Sequence, residues 1–171
     1  MEIKLGSVND AKAVAAVEAA CFPAAEAATE TELTDRLRHY GSHFWLMWDG
    51  EKLAGFVDGM VTNQADLTDE LYAQAALHDE SGAWQMIFGV NTLPACRRQG
   101  IADALLDALC ARAAALDLAF LTLEVRASNA PAIALYRKHG FQTVGQRRNY
   151  YQKPDEDALL MTWFRREAET I

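Results

Sequence analysis

Two groups of residues in this sequence are of types that can do chemistry. The first is Arg97-Arg98-Gln99-Gly100-Ile101-Ala102, which follows the apolar run Met86-Ile87-Phe88-Gly89-Val90 and opens a pattern containing Ile101, Leu105, Ala108, Leu109 and Leu116. That succession reads as strand, short basic loop and helix. The first amides of a helix lack intrahelical partners and sit at the positive end of its dipole, which makes them a phosphate site. Gly100 lets the backbone approach an anion closely, and Ala102 keeps the first turn open. Two adjacent arginines on a chain of formal net charge -8 point to a pyrophosphate-bearing ligand. A P-loop needs Lys-Ser or Lys-Thr after its last glycine, where Ile101-Ala102 stand. A dinucleotide fingerprint needs three spaced glycines, and this loop has one. From these residues alone, a helix that merely begins with arginines remains an alternative.

The second group is Glu124 and Tyr136. In Leu121-Thr122-Leu123-Glu124-Val125, alternation puts the apolar residues on one face and Thr122, Glu124 and Arg126 on the other. A carboxylate in so apolar a strand is either a general base or the ion-pair partner of Arg126. Tyr136 shares a helix face with Ala132 and Ile133, so it is either a packing tyrosine or a phenolic proton donor. The residues leave both choices open.

Taken as Arg97-x-x-Gly100-x-Ala102, the loop resembles the acetyl-coenzyme A signature (Gln/Arg-x-x-Gly-x-Gly/Ala) of the GNAT acetyltransferases. The stretch from Leu123-Glu124-Val125-Arg126-Ala127-Ser128-Asn129-Ala130-Pro131 to Tyr136, then Gly140-Phe141, Arg147-Arg148-Asn149-Tyr150-Tyr151 and Glu156 to Met161, resembles the bacterial ribosomal-protein alanine N-acetyltransferases within that superfamily. The resemblance implies Glu124 as general base, Tyr136 as general acid that also touches the cofactor, and Asn129 as a coenzyme A contact. It further implies Arg97, Arg98, Gln99, Gly100, Ile101 and Ala102 as the pyrophosphate loop. Phe88 and Val90 fall on the strand whose backbone holds the acetyl and pantetheine portions. Phe22, Trp84, Tyr150 and Tyr151 are the candidate acceptor contacts.

The front half is similar to other GNAT members. Cys21-Phe22-Pro23 through Thr29, the polar stretch after Met60 and Met86 to Val90 resemble the arylalkylamine-type small-amine acetyltransferases. Their histidine pair is replaced here by Trp84 and Met86. His39, His43, His78 and His139 read as surface groups.

Acyl transfer to an amine requires a neutral nitrogen, a stabilised oxyanion and a protonated leaving thiolate. Deprotonating an α-amine near pH 7 costs roughly 1 kcal/mol and a lysine roughly 4.6 kcal/mol, from their reference pKa values. A single carboxylate suits the first. The expected function is therefore transfer of acetyl from acetyl-CoA to a peptide or protein N-terminal α-amine by direct attack in a ternary complex. The alternatives are an arylalkylamine or polyamine acetyltransferase and a non-catalytic acyl-CoA-binding module.

The elements that must position these residues follow from pattern. The 171 residues, 51% of them hydrophobic, suffice for one domain spanning 1–171. Glu2–Leu5 predicts a strand, and Asn9 a cap for a helix reaching Ala20. Thr29 to Tyr40 predicts a second helix closed by Gly41. Phe44–Trp48, Asp49-Gly50 and Leu53–Val61 read as a hairpin. Thr62 to Ala83 is polar and irregular, with a short helix at Asp69–Ala76, as in functional lids or disordered loops. Strand Trp84–Thr92, a helix to Leu116, strand Phe120–Val125, a helix from Asn129 to Gly140, and strands Phe141–Gln146 and Leu159–Phe164 around Lys153–Asp157 complete the chain. The order predicts an α/β (α+β) fold: a GNAT-like mixed, mostly antiparallel central sheet with helices on both faces.

The acidic balance argues against nucleic acid as a partner and suits a cationic acceptor. Cys21, Cys96 and Cys110 show neither disulfide nor metal-ligand spacing, so no metal is expected; Cys96 beside Arg97 is either an acidified thiol or a structural one. No signal pattern opens the chain, and Ile101 to Leu121 carries Asp103, Asp107, Arg112 and Asp117. No membrane association is expected, the predicted location is cytoplasmic, and the oligomeric expectation is monomer or homodimer.

Overall fold

The computed structural model describes residues 1–151 and 155–165. In chain order the elements are β1 (Glu2–Leu5), α1 (Ala11–Cys21), α2 (Glu30–Tyr40), β2 (Phe44–Asp49), β3 (Lys52–Thr62), α3 (Asp69–Ala73), β4 (Trp84–Thr92), α4 (Ile101–Ala115), β5 (Phe120–Arg126), α5 (Ala130–Lys138), β6 (Gln142–Tyr151) and β7 (Glu156–Phe164). The last two strands are longer than their composition predicts. Of the turn expected around Lys153–Asp157, Lys153 and Pro154 lie outside the described residues.

Local signals explain most of the boundaries. Thr29 caps α2, its hydroxyl accepting from the Glu32 amide (3.1 Å). Leu33, Leu37 and Tyr40 form the buried face of that helix. Asn9 is not the cap of α1. Ser7 opens a 3-10 turn over Val8–Asp10, and its amide donates to the Asp10 carboxylate (2.9 Å) before the α-helix begins. Gly41 stays right-handed and continues into a second 3-10 turn rather than closing α2. Gly50, at φ 62°, makes the β2–β3 hairpin turn as Asp-Gly predicts.

The seven strands run in the order β1-β2-β3-β4-β5-β7-β6, and β4/β5 is the parallel pair in an otherwise antiparallel sheet. Helices α1, α2 and α3 cover one face, burying Val14, Val17, Leu33, Leu37 and Leu71 against Phe44, Phe56, Met60 and Met86. Helices α4 and α5 cover the other, packing Leu105, Leu109, Ile133 and Tyr136 on Leu121, Leu123 and Val125. The alternation along β5 is thus realised, with Thr122 meeting Thr162 on the opposite face (3.0 Å between hydroxyls).

One irregularity creates the site. Along β3–β4, Gly59 faces Ile87 and Asp58 faces Gly89, so Phe88 is an extra residue in β4. Such a bulge bends its strand and increases the local twist. Pairing between β4 and β5 runs from Trp84↔Phe120 to Ile87↔Leu123 and stops there. Beyond it β4 stays on β3 and β5 stays on β7, and the two parallel strands fork. Gly59 permits the close approach at this point: a Cβ would lie 1.9 Å from the Met86 carbonyl oxygen.

Candidate active site at the forked strands

Phe88 and Glu124 are the first residues past the last bridge between β4 and β5. Phe88, Gly89 and Val90 are half-buried along one prong, whose backbone has no strand opposite it on the β5 side. An open strand edge offers donors and acceptors to any extended ligand bearing amides.

The basic loop lies just past the end of that prong. Arg97, Arg98, Gln99 and Gly100 are exposed, and Arg98 (φ 63°) and Gly100 (φ 76°) are both left-handed. Gly100 is the N-cap of α4 and has no side chain to cap it, which leaves the first amides of the helix for a ligand. Asp103 in the first turn would oppose an anion there. Its carboxylate is held by Lys138 Nζ (2.9 Å) and His139 Nε2 (2.7 Å) from α5, and those partners lower its pKa. Arg97 lies beside Cys21, whose thiol donates to the Thr92 carbonyl (3.3 Å) and is pushed up by burial. Cys96 is buried. The thiol at the arginines is therefore Cys21. Asn129 caps α5 by accepting from the Ala132 amide (3.3 Å), and its Nδ2 remains the donor it can offer a ligand.

Glu124 is not paired with Arg126. Arg126 binds Glu26 and Glu156 and stacks over Tyr151 (4.2 Å). Glu124 Oε1 instead accepts from Arg147 Nη1 on β6 at 2.5 Å. The Glu124 side chain is 1% exposed, and its Oε2 has no hydrogen-bond partner among the described residues. The Tyr150 hydroxyl stands close enough to favour the carboxylate but donates to Asp69 (3.3 Å). Burial dominates and raises the Glu124 pKa, with Arg147 opposing it. A buried carboxylate oxygen left unsatisfied is costly, and such atoms mark sites that receive a partner.

Tyr136 comes from the other face on α5, and burial pushes its phenol up to about 12. It is near enough to Tyr151 for its phenolate to disfavour that of Tyr151. Tyr150 and Tyr151 meet edge to face (5.0 Å), and Tyr72 from α3 packs on Phe88 (4.5 Å). Tyr72 also feels Glu124, Tyr150 and Tyr151, so four tyrosines surround the fork. Neither Tyr72 nor Arg147 was assigned a role from sequence. Tyr72 sits in an acidic stretch where one aromatic carries little signal, whereas Arg147 lies inside the Arg-Arg-Asn-Tyr-Tyr motif already noted.

Phe22 ends α1, half-buried, at the start of the loop that brings Glu26 to Arg126. Trp84 is not gathered with these residues. It lies at the opposite end of β4, stacked on Phe120 (3.9 Å). Nor are three of the histidines surface groups. His139 is buried between Asp103 and Asp107, and His43 and His78 converge on Glu80 (2.9 and 2.6 Å). The latter three side chains are close enough to share a cation. However, His78 Nδ1 accepts the Val61 amide (3.1 Å), so its Nε2 carries the proton donated to Glu80. A metal would need that lone pair. The cluster pins the end of the 62–83 segment to β2 and β3.

Forked parallel strands, an uncapped helix start beyond one prong and a buried carboxylate on the other form the candidate site. The acetyltransferase (GNAT) family model matches residues 11–141, and the chain belongs to that family. Its sequence is similar to the ribosomal protein bS18-alanine N-acetyltransferase of Escherichia coli strain K12, 47% identical over 77 residues, which are 44% of this chain and 52% of that protein. The chain thus spans about half the length of the curated relatives it matches. The fold is also similar to a crystal structure of the E. coli ribosomal-protein-S18-alanine N-acetyltransferase, with TM-score 0.75 and 28% identity over 99% of this chain and 97% of that one. A GNAT-like decarboxylase in complex with isobutyryl-CoA, GphF, reaches TM-score 0.82 at 21% identity, covering 96% and 99%. Fold alone therefore does not fix the reaction. No helix among the described residues is long and apolar enough to cross a membrane.

Proposed function

We propose that the protein transfers the acetyl group of acetyl-CoA to the N-terminal α-amine of a peptide or protein. The observation that carries this is the orphaned Oε2 of Glu124 at the mouth of the fork. It is a buried acceptor with no partner among the described residues, and the relatives are named for acting on an alanine of a ribosomal protein.

When bound, acetyl-CoA supplies the activated acetyl group. The α4 N-terminus with Arg97 and Arg98 suits its pyrophosphate, the β4 edge at Phe88 to Val90 suits its amide-bearing arm, and Asn129 and Tyr136 would be its further contacts. Glu124 takes the proton that makes the acceptor nitrogen nucleophilic. Its raised pKa brings it nearer to an α-amine's, which eases that transfer. Tyr136 is the acid that meets the departing thiolate. Its phenol, at about 12 against about 8.5 for an ordinary thiol, gives up its proton only uphill, by about 5 kcal/mol. Its contribution is a hydrogen bond to the developing thiolate, with complete transfer late or through solvent.

The decisive test is a competition for acetyl-CoA among peptides with free N-termini, N-blocked peptides carrying lysine, and aryl and polyamine substrates. Free-N-terminus peptides are expected to give the highest kcat/KM. A win for the small amines would transfer the function to them. A second test addresses the loop. Gly100→Ala puts a Cβ on a left-handed residue, a strain of about 1–2 kcal/mol. Apart from its chain neighbours, no atom of the described residues lies within 4 Å of that Cβ, so the fold survives. Calorimetry is expected to show acetyl-CoA affinity reduced by up to about tenfold, the limit reached when the loop relieves that strain by leaving the left-handed conformation that presents its amides. Unchanged affinity would remove the loop from the cofactor site.

A further inference from the structure

Arg147 does more than neutralise Glu124. Its Nη1 donates to Glu124 Oε1 (2.5 Å) and to the Leu67 carbonyl (3.4 Å), and Nη2 lies 3.8 Å from Asp69. Its guanidinium stacks over the Tyr150 ring at 4.2 Å. Tyr150 in turn donates to Asp69 (3.3 Å). One side chain therefore joins the candidate base on β5, the β6–β7 hairpin and the turn of the 62–83 segment that precedes and begins α3.

The hairpin is shaped for this. Arg147 pairs with Ala158 and Tyr151 with Glu156, so β6 carries extra residues between them. Asn149 sits there in a left-handed conformation (φ 49°), one that Asn tolerates, with its amide bonded to Asp157 Oδ1 (2.9 Å). A bulge re-aims the side chains beside it, and here it brings Tyr150 against Arg147. A surface ion pair would need none of this backbone irregularity.

We propose that Arg147 is a positioning residue that holds the Glu124 carboxylate in place and couples it to closure of residues 62–83 over the acceptor side of the fork. This rests on Glu124 being the base. Asp69 and the Tyr150 face provide a second seat, so the guanidinium has somewhere to go when an acceptor ammonium claims Glu124. The 62–83 segment is then a lid whose latch is the base's own counter-ion.

The charged and titratable groups facing Glu124 are Arg147, Tyr150 and Tyr151 from β6 and Tyr72 and Asp69 from α3. Among them Arg147 favours the carboxylate, while Asp69 disfavours it. Removing Arg147 makes Glu124 harder to ionise, so the acid limb of kcat/KM moves to higher pH.

The test compares Arg147→Gln, Arg147→Lys, Asp69→Asn and Glu124→Gln in the full chain. Arg147→Gln is expected to lose about tenfold in kcat/KM on the acid side and to recover as pH rises, a limb shift of about one unit. Arg147→Lys restores most of the limb position. Asp69→Asn moves it the opposite way, and both Arg147→Gln and Asp69→Asn speed amide hydrogen exchange across 62–83. Equal loss at every pH, or unchanged exchange in the lid, overturns the proposal. Glu124→Gln separates the two readings: if it retains turnover and the acid limb, Glu124 is not the base. If it abolishes both while Arg147→Gln leaves the limb unmoved, the base stands and the coupling fails.

Discussion

Glu124→Gln is expected to lower kcat by about 10²–10⁴-fold, the range for loss of a positioned general base, while acetyl-CoA binding stays within twofold of the parent. The amide is isosteric with the carboxylate and cannot accept the amine's proton. Structure should survive the change, because the partner left behind, Arg147, is 31% exposed and keeps Asp69 and Tyr150. The proposed cofactor contacts lie elsewhere, at the α4 start and along β4. Steady-state kinetics with a peptide acceptor, together with calorimetry on acetyl-CoA, separates these effects. An unchanged kcat would show that Glu124 takes no part in the rate-limiting chemistry. A large loss of cofactor affinity would instead make it a structural prop of the fork.

How much of this was legible in the sequence depends on the range of the interaction. Asp49-Gly50 gave its hairpin, Thr29 and Asn129 the starts of their helices, and the alternation around Glu124 its apolar and polar faces. These are contacts within a few residues, where residue type and spacing carry the signal. The basic loop was legible for the same reason, since strand, glycine and helix start are contiguous. The fork was not. It depends on Phe88 being one residue too many against β3, and a bulge is a relation between two strands rather than a property of either. Glu124 illustrates the limit well. Spacing offered Arg126 as its partner, two positions away on the same face. The topology instead brings β7 and then β6 alongside β5 and supplies Arg147, leaving Arg126 to Glu26. Trp84 and the histidines were misplaced for the complementary reason. Aromatic and imidazole side chains serve packing as readily as chemistry, and their type alone does not say at which end of a strand they sit. Asp58 did carry an unused signal, a carboxylate inside the apolar run Leu53 to Val61 and next to a glycine.

Asp58 leads to the largest expected effect on stability. It is 2% exposed and paired with Arg36 of α2, 8% exposed, at 3.4 Å. Arg36 also donates to the Tyr72 carbonyl (3.2 Å) and lies over the Phe88 ring (5.0 Å), so the pair braces the bulge that opens the fork. Burial, against the pull of Arg36, pushes the Asp58 carboxyl up to about 7. Its folded pKa thus exceeds its unfolded value of about 3.9. The folded state binds the extra proton, so its contribution to stability is fully present below pH 4 and is lost as pH rises through 7. Arg36→Met removes the cation paired with this carboxylate and raises its pKa further, extending that loss to higher pH. Breaking a buried pair from one side costs about 3–5 kcal/mol. That full penalty is expected by urea denaturation at pH 8.5, where Asp58 must either ionise without its partner or hold a proton against the solution, and a smaller one at pH 5.5, where it is protonated with or without Arg36. Asp58→Asn in the Arg36→Met background should recover much of the difference at pH 8.5 and little at pH 5.5. An equal penalty at both pH values would mean that Arg36 acts through Tyr72 and Phe88 rather than through Asp58. In either case the bulge loses its brace, and acetyl-CoA affinity should fall with it.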